Sequence, residues 1–347
     1  MKKKILLIDP YFGGSHSQWA NGLKRYSQFD ISIMSLPARH WKWRMHGGAI
    51  SLSQKFNRLK SLPHLIFTTD MMDVTTFRAM TFKRSAKIPI AVYFHENQFG
   101  YPISEHDSDI ILKRDDHYGF INYSTALACD HIAFNSHFHC TSFLSAVRNW
   151  LKKLPDHNLQ NTTDIIEKKS SVLFPGIENS TPMACSSNHN LKPPLIIWNH
   201  RWEYDKNPID FFESLIHIKQ KGIQFKLAIL GSHHEKYPPI FDKAKKEFRN
   251  ELVAFGYVEN KQKYIETLNS GSVLPVTSKQ DFFGISIMEA ISCGCRPLLP
   301  DRLSYPELIP KEYHDEVLYS GIEEFESKLE SILTRPQKLS RSQIKEI

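Results

Sequence analysis

The sequence predicts an α/β fold in which two doubly wound domains face each other across a cleft. Short runs of β-branched and apolar residues alternate with longer stretches of helical spacing, which is the pattern of β-α-β units on a parallel sheet. The chain has 347 residues, about twice the length of an ordinary domain. The alternation stops over residues 177–194, where Pro, Ser and Asn replace apolar residues as in a linker. We therefore expect domains at 1–180 and 181–347, with ligands in the cleft at the carboxyl ends of the strands.

The first domain is predicted to contain six strands. They are expected at residues 4–9, 30–35, 64–69, 88–95, 131–135 and 171–174. Stretches with helical spacing lie between them, including 74–84 and 136–151. The polar stretch 152–170 is predicted to be a surface excursion without a function.

The second domain is predicted from the same alternation, which restarts after the linker. Its strands are expected at residues 195–200, 225–230, 251–255, 272–276 and 296–299. Both domains therefore have the same class of architecture.

Composition and charge exclude several classes of protein. Apolar residues make up 41% and charged residues 23% of the chain, which is typical of a globular protein and not of a disordered one. The net charge of +7 mildly favours an acidic partner. No apolar run approaches the ~20 residues of a membrane span, and the opening apolar run ends at Asp9, too early for a secretory signal. Since the five cysteines are scattered, we expect reduced thiols in a cytoplasmic protein with no membrane partner and no metal site.

A glycine pair follows the first predicted strand. Gly13 and Gly14 precede a helix that is predicted to begin near Ser15. Glycines at this point let backbone N–H groups approach a ligand at the positive end of the helix. The alternative is a tight strand-to-helix turn that needs glycine for its own conformation. The chain has no G-x-G-x-x-G and no G-K-[ST] motif, which disfavours a dinucleotide or Walker-type phosphate site.

The second domain carries charged residues at positions that suit a nucleotide. Arg201 and Lys206 come just after its first strand, where two fixed cations fit a diphosphate. Asp281 lies in a loop before a predicted helix, and Glu289 lies eight positions further on, inside that helix. The loop amides at 283–285 point at whatever lies above the helix N-terminus. A carboxylate can hold sugar hydroxyls, and such amides can steady a phosphate leaving group.

The Arg-x4-Lys motif followed by acid-x7-Glu resembles the retaining GT-B glycosyltransferases of the family 4 type, which have two Rossmann-like domains and use nucleotide-sugar donors. The resemblance implies that Arg201 and Lys206 hold the donor diphosphate, that Glu289 holds the ribose hydroxyls and that Asp281 lies beside the donor sugar. Asp281 stands where that family usually has Glu. Further donor contacts are implied for Gly13, Gly14, Gly256, Tyr257, Val258, Phe282, Phe283, Gly284 and Ile285.

The N-terminal half is similar to the tRNA-queuosine alpha-mannosyltransferases. The similarity rests on residues 13–16, 36–44, 94–102 and 134–139, together with the run 199–208. It implies an N-terminal acceptor domain, a C-terminal donor domain, and transfer of mannose from GDP-mannose to the cyclopentenediol of queuosine in a tRNA anticodon of the tRNA-Asp type. The α-linkage would form with retention, and the leaving GDP oxygen would help deprotonate the incoming hydroxyl on the same face. No metal cofactor would be required, because the cations Arg201 and Lys206 replace it.

The resemblance also implies two sets of residues in the reaction. The catalytic set is His95, Asp281, Arg201 and Lys206. The acceptor-binding set is His16, Trp41, Lys42, Trp43, Arg44, His95, Glu96, Asn97, Gln98, Asn135 and Ser136. Residues 39–44 are expected in a loop near the cleft, where aromatic rings and cations would grip unstacked bases and phosphates of the anticodon loop.

Alternatives stay open for several of these residues and for the function. Trp41 and Trp43 could be half-buried aromatics with solvated neighbours, and a structural hydrogen-bond network would explain part of the polar run 95–98. His16 either caps its own helix or faces the acceptor. The chain is also compatible with a GT-B glycosyltransferase that has a lipid or polysaccharide acceptor, for which we would expect a basic amphipathic docking helix. A non-catalytic tRNA-binding protein on the same scaffold is the other alternative.

Overall fold

The computed structural model describes residues 2–101, 117–177, 193–232 and 237–347. The chain divides into two compact units, Met1–Gly176 and Ile177–Ile347. The predicted linker begins at this division, and most of it lies outside the described residues, as do Pro102 and Cys185. The other four cysteines are free thiols.

The N-terminal unit is built on a parallel sheet of six strands in the order β2-β1-β3-β4-β5-β6. The strands are β1 (Lys4–Phe12), β2 (Asp30–Pro37), β3 (Leu65–Thr69), β4 (Ile90–Phe94), β5 (His131–Phe134) and β6 (Ser170–Val172). All six were predicted, with ends that differ by a few residues. Neighbouring residues of β1 pack on opposite faces of the sheet, since Leu6 joins one apolar cluster and Leu7 joins another. Helices therefore cover both faces.

Six helices of the N-terminal unit are described. They are α1 (Gly14–Tyr26), α2 (Trp41–Asn57), α3 (Val74–Ser85), α4 (His117–Ala128), α5 (His137–Leu151) and α6 (Asn161–Lys168). Two expectations were wrong. Residues 41–44 form the first turn of α2 instead of a loop, and the stretch 152–170 contains α6, whose Ile166 is fully buried in the main core. Ile166 and Thr163, which lies one turn earlier, are the buried residues that dock this short and otherwise polar helix.

The C-terminal unit has a second parallel sheet of six strands in the order β12-β11-β10-β7-β8-β9. The strands are β7 (Leu195–Trp198), β8 (Lys226–Ile229), β9 (Leu252–Phe255), β10 (Val273–Pro275), β11 (Arg296–Pro300) and β12 (Leu318–Tyr319). The first five were predicted. β12 was not, because two residues are too few to show a period. The predicted α/β class with two parallel sheets is confirmed.

The helices of the C-terminal unit complete the layers. They are α7 (Pro208–Gln220), α8 (Ile240–Glu247), α9 (Lys261–Ser270), α10 (Ile285–Ser292), α11 (Tyr305–Leu308), α12 (His314–Val317), α13 (Ile322–Thr334) and α14 (Arg341–Glu346), with 3-10 turns at Tyr204–Lys206 and Lys311–Tyr313. Apolar clusters line both faces of this sheet as well. Within the described ranges, no helix of either unit is long and apolar enough to cross a membrane.

Candidate active site

Polar residues of the N-terminal unit meet at the carboxyl edge of its sheet. Asp9 lies near the end of β1, Asp70 directly follows β3, and His95 directly follows β4. Asp9 is fully buried and accepts hydrogen bonds at Oδ1 from the backbone N–H of Tyr11 at 2.8 Å and from Thr69 Oγ1 at 3.2 Å. Asp70 Oδ1 accepts the backbone N–H of His95 at 2.8 Å. Two buried acids therefore support the strand ends beside His95.

His16, on α1, is held between an acid and a second imidazole. Its Nδ1 lies 3.4 Å from Asp9 Oδ2, and its ring stacks on that of His95 with centroids 4.1 Å apart. Burial lowers the pKa of His16, but the nearby carboxylates of Asp9, Asp70 and Glu96 outweigh burial, so the pKa is raised. No side-chain hydrogen bond caps α1, so His16 is not the cap of its helix.

The pKa of His95 is shifted in the opposite direction. Burial and the neighbouring His16 and His139 hold its pKa well below the ordinary value, so the ring is neutral at pH 7. Trp19 and Tyr93 meet the imidazole edge-on, each with its ring centroid 4.8 Å away. His95 Nε2 is buried and has no hydrogen-bond partner in the described part of the chain. A neutral imidazole with one uncommitted nitrogen can donate to or accept from a ligand.

Asp70 is the third titratable residue beside His16 and His95, and its pKa is far from the usual value of an aspartate. Burial raises the pKa of Asp70 to about 7, opposed by His16 and reinforced by Glu96. His16 and Asp70 thus titrate as interacting neighbours.

The other polar residues of the 95–98 run shape the backbone. Asn97 Oδ1 accepts the N–H groups of Phe99 at 3.1 Å and Gly100 at 2.8 Å, which closes a turn. Gln98 Nε2 donates to Glu96 Oε1 at 3.3 Å. Part of the run is therefore a structural network, and its role in acceptor binding stays a prediction.

Asn135 and Ser136 are also tied to the backbone. Asn135 Nδ2 donates to the carbonyl of His95 at 2.9 Å, and its Oδ1 contacts His139 Nδ1 at 2.7 Å. Ser136 is the N-cap of α5, because its Oγ accepts the N–H of His139 at 2.9 Å. Asn135 therefore links the end of β5 to His95.

The glycine pair before α1 has a conformational cause. Gly14 has a φ of +49°, which favours glycine, and a Cβ on Gly13 would lie 2.6 Å from Ala38 Cβ. Both glycines are needed by the turn itself, and their contact with a donor stays a prediction.

The two tryptophans in the first turn of α2 differ in their exposure to solvent. Trp43 is 62% exposed, whereas Trp41 is partly buried against Met45 and Tyr118. Lys42 Nζ lies 5.5 Å from the Trp41 ring, in a cation–π contact. Arg44 Nε donates to the carbonyl of Pro37 at 3.2 Å. Of the two indoles, that of Trp43 is the one displayed to solvent.

The C-terminal unit brings Lys206 and Asp281 together. Lys206 is buried and its Nζ lies 3.1 Å from Asp205 Oδ2 and 3.4 Å from Asp281 Oδ2, and it donates to the carbonyl of Gln280 at 2.8 Å. Burial lowers the pKa of Lys206, but Asp281 and Asp205 more than offset it, so the pKa is raised. Burial raises the pKa of Asp281, but Lys206 and His200 outweigh this effect and the pKa is lowered. Lys206 and Asp281 are therefore both charged at pH 7.

Arg201 is the more accessible of the two predicted cations. Its side chain is 50% exposed, and its guanidinium lies 3.2 Å from Glu203 Oε1. Because half of the Arg201 side chain is exposed, a phosphate can reach its guanidinium from solvent, whereas its partner Glu203 is only 21% exposed.

Glu289 belongs to a hydrogen-bond chain that sequence reasoning missed. Tyr264 Oη donates to Glu289 Oε2 at 2.9 Å, and Asn199 Nδ2 contacts both Tyr264 Oη at 3.1 Å and the carbonyl of Ser286 at 2.7 Å. His200 lies beside it, with Nδ1 3.2 Å from Ser286 Oγ and with burial and Lys206 lowering its pKa to about 3.

The loop before α10 offers backbone N–H groups to a ligand, because its large side chains are buried. Phe282 and Phe283 are buried, and Gly284 has a φ of +97°, a left-handed conformation at the start of the helix. The N-terminal amides of α10 begin at Ile285, where a helix attracts anions.

The residues predicted around 256–258 lie at the end of β9. Gly256 has a φ of +114° with open space around it, Tyr257 is 64% exposed, and Val258 packs against the core. Their contact with a donor stays a prediction.

Several site residues were not predicted. Asp9, Asp70, Asn199 and His200 could have been found, because each is a polar residue at or just after the end of an apolar strand. Tyr264 carried no such signal, since it lies mid-helix in a polar sequence. In the described ranges, no group of three or more His, Cys, Asp or Glu is placed to hold a metal ion.

Comparison with known proteins matches each unit to a family. The model described as tRNA-queuosine alpha-mannosyltransferase N-terminal matches residues 4–177, and the model described as glycosyl transferases group 1 matches residues 183–347. The tRNA-queuosine alpha-mannosyltransferase of Drosophila melanogaster is 34% identical over 320 residues, covering 90% of this chain and 83% of that protein.

Solved structures share the fold at low identity. Sucrose-phosphate synthase from Thermosynechococcus elongatus has a TM-score of 0.68 and 14% identity, covering 96% of this chain and 90% of that one. A UDP-forming alpha,alpha-trehalose-phosphate synthase from Burkholderia xenovorans has a TM-score of 0.64 and 11% identity, with coverages of 96% and 92%. At these identities, the likeness concerns the fold alone.

Proposed function

The chain belongs to the tRNA-queuosine alpha-mannosyltransferase family and has the GT-B fold of glycosyltransferases, and on that premise we propose that it transfers mannose from GDP-mannose to the cyclopentenediol of queuosine in the anticodon of tRNA, of the tRNA-Asp type. The observation that carries the proposal is the match of the queuosine-specific family model to residues 4–177. Because its acceptor would be a modified tRNA, we expect it to act in the cytoplasm.

In this proposal, the C-terminal unit holds the donor. Arg201 and Lys206 bind the diphosphate, assisted by the N-terminal amides of α10 that begin at Ile285. Glu289 accepts hydrogen bonds from the ribose hydroxyls, and Asp281 lies beside the mannose. The support is that Lys206 and Asp281 are held as a charged pair 3.4 Å apart and that Arg201 remains half exposed.

The proposed reaction exchanges one bond at the anomeric carbon for another on the same face of the sugar. The bond from that carbon to the GDP oxygen breaks, and a bond to the queuosine hydroxyl oxygen forms. The hydroxyl proton passes to the departing phosphate oxygen and the acceptor attacks the anomeric carbon directly, so no protein nucleophile is required. No metal ion is required either, because Arg201 and Lys206 take its place at the diphosphate. Arg201, Lys206 and the helix amides stabilise the charge that grows on the phosphate.

The N-terminal unit would hold the acceptor. His95 is neutral, and its buried Nε2 has no partner in the described part of the chain, so it can hydrogen-bond a sugar or cyclopentenediol hydroxyl. Trp43 offers an exposed ring for stacking, and Lys42 offers a charge for the RNA backbone. His16 and the polar residues 96–98, 135 and 136 would shape this surface.

The test is mass spectrometry of the nucleosides released from tRNA after incubation with the protein and GDP-mannose. We expect queuosine to gain the mass of one hexose, and tRNA without queuosine to gain none. UDP-glucose and UDP-galactose are the donor controls. A Glu289→Gln variant should lose most transfer, whereas Tyr237→Phe, outside the proposed site, should keep it. No hexose on queuosine-containing tRNA with GDP-mannose would refute the proposed donor, and no hexose with any of these donors would refute the proposed transfer.

A further inference from the structure

We infer that Tyr264 and Asn199 are positioning residues that hold the carboxylate of Glu289 in the orientation that receives the ribose hydroxyls of the donor nucleotide. The inference rests on the proposed function, since it takes Glu289 to be the ribose-binding acid. It adds two residues that do not touch the substrate in this assignment and act through Glu289.

The direction of each hydrogen bond in the chain is determined by chemistry. The amide nitrogen of Asn199 can only donate, and it has two hydrogens for its two contacts, Ser286 O at 2.7 Å and Tyr264 Oη at 3.1 Å. Tyr264 Oη accepts that bond and gives its own proton to Glu289 Oε2, 2.9 Å away. The chain therefore ends on one oxygen of the carboxylate, with the phenol proton committed to it.

Three elements are joined by this chain. Asn199 directly follows β7, Tyr264 lies in α9, and Glu289 lies in α10 only three residues after Ser286. The amide of Asn199 thus fixes the backbone of α10 one turn before the carboxylate that the phenol of Tyr264 holds. Holding both the backbone and the side chain leaves Glu289 few rotamers to lose when a ligand binds.

The protonation of Tyr264 suits this role. Burial and the charge of Glu289 raise its pKa above the ordinary value, so the phenol keeps its proton throughout the physiological range. A proton that stays on the phenol keeps the donor available to Glu289 at every pH at which the protein would work.

A tyrosine–carboxylate bond elsewhere in the same unit supplies the control. Tyr237 Oη donates to Asp242 Oδ1 at 3.0 Å, at an exposed site. Removing that hydroxyl tests the loss of a similar bond without touching Glu289.

The experiment measures by calorimetry the affinity of two probes, GDP and 2′,3′-dideoxy-GDP, for the wild-type protein and three variants. For Tyr264→Phe, we expect GDP affinity to fall about tenfold and dideoxy-GDP affinity to change by less than about twofold. Glu289→Gln should show the same selectivity with a larger loss for GDP. Tyr237→Phe should bind both probes as the wild type does.

Equal losses of both nucleotides in Tyr264→Phe, or no loss of either, would overturn the inference. If Glu289→Gln shows the ribose-dependent loss and Tyr264→Phe does not, the proposed donor site stands and the positioning role fails. If the wild type does not bind GDP, the proposed donor fails and the inference falls with it. Melting curves accompany each variant. Should Tyr264→Phe unfold early, Asn199→Ala is measured with the same two probes, and the same pattern decides.

Discussion

Replacing Lys206 with alanine should cost far more folding stability than replacing Arg201, although both changes should weaken binding of GDP-mannose. Lys206 is buried between Asp205 Oδ2 at 3.1 Å and Asp281 Oδ2 at 3.4 Å. Its removal leaves two carboxylates without their cation, which typically costs about 3–5 kcal/mol. Arg201 is half exposed beside Glu203, and the loss of such a surface pair costs at most about 1 kcal/mol.

The effect on binding should be more alike for the two variants. Each cation is proposed to make a charge-assisted hydrogen bond to a phosphate, and the loss of such a bond costs about 1.5–3 kcal/mol. Each single variant should therefore raise the Kd for GDP-mannose by roughly ten- to a hundredfold. The two variants are thus expected to separate in stability and to agree in affinity.

Urea denaturation and calorimetric titration measure these two quantities. The double variant Lys206→Ala with Asp281→Asn removes one of the stranded charges, so it should recover part of the lost stability without recovering affinity. Lys221→Ala, which breaks an exposed ion pair with Glu330, should leave stability and affinity unchanged. A Lys206→Ala protein as stable as Arg201→Ala would refute the argument from burial. Unchanged affinity in both would remove the diphosphate assignment.

Three further predictions concern the acceptor surface, the backbone and pH. The double variant Lys42→Ala with Arg44→Ala should weaken binding of queuosine-containing tRNA and flatten the salt dependence of that binding. Its GDP affinity and its melting temperature should be unchanged. Filter binding at two salt concentrations checks this, and tRNA-binding curves identical to those of the wild type would contradict it. Gly231→Ala should severely destabilise the fold, because a Cβ would lie 2.0 Å from the carbonyl oxygen of His200. Gly256 has a similar φ but open space around it, so Gly256→Ala should lower the free energy of unfolding, measured by denaturation, by only about 1–2 kcal/mol. The pKa of His200 is lowered to about 3, so below pH 6.5 the unfolded chain binds a proton that the folded chain does not. The contribution of His200 to the free energy of unfolding is thus fully present above pH 6.5 and is lost as pH falls toward 3. The loss is on the order of 2 kcal/mol at pH 5. His200→Asn should flatten that part of the stability profile, and an equally steep profile would refute the assignment.

The sheets could be predicted from the sequence because their strands are short and mostly apolar, and the strands at the centre of each sheet are buried on both faces. β4 is the simplest case, with all five residues from Ile90 to Phe94 buried. The start of α2 could not be predicted in the same way. Its N-cap is His40, in a left-handed conformation with no capping side chain, and its first turn has no acidic residue, so the usual signals of a helix start are missing.

The kinds of residue at the site could also be predicted, but not their pairings. The spacing of Arg201 and Lys206 predicted two cations after a strand, yet it did not show that one is buried and the other half exposed. The chain from Asn199 through Tyr264 to Glu289 joins three elements that lie far apart in the sequence. Such contacts depend on how the helices dock on the sheet, which no local pattern records.

The charge balance around Lys206 assigns different tasks to the two cations. Asp205 and Asp281 together carry two negative charges against the single positive charge of Lys206. A diphosphate that met these three groups alone would meet a net negative site, so Lys206 cannot attract it unaided. Besides its proposed contact with the diphosphate, Lys206 therefore keeps Asp281 ionised and fixed beside the proposed sugar position. The remaining attraction for phosphate must then come from the amides of α10 and from Arg201, whose half-exposed guanidinium can move to the ligand at little cost in desolvation.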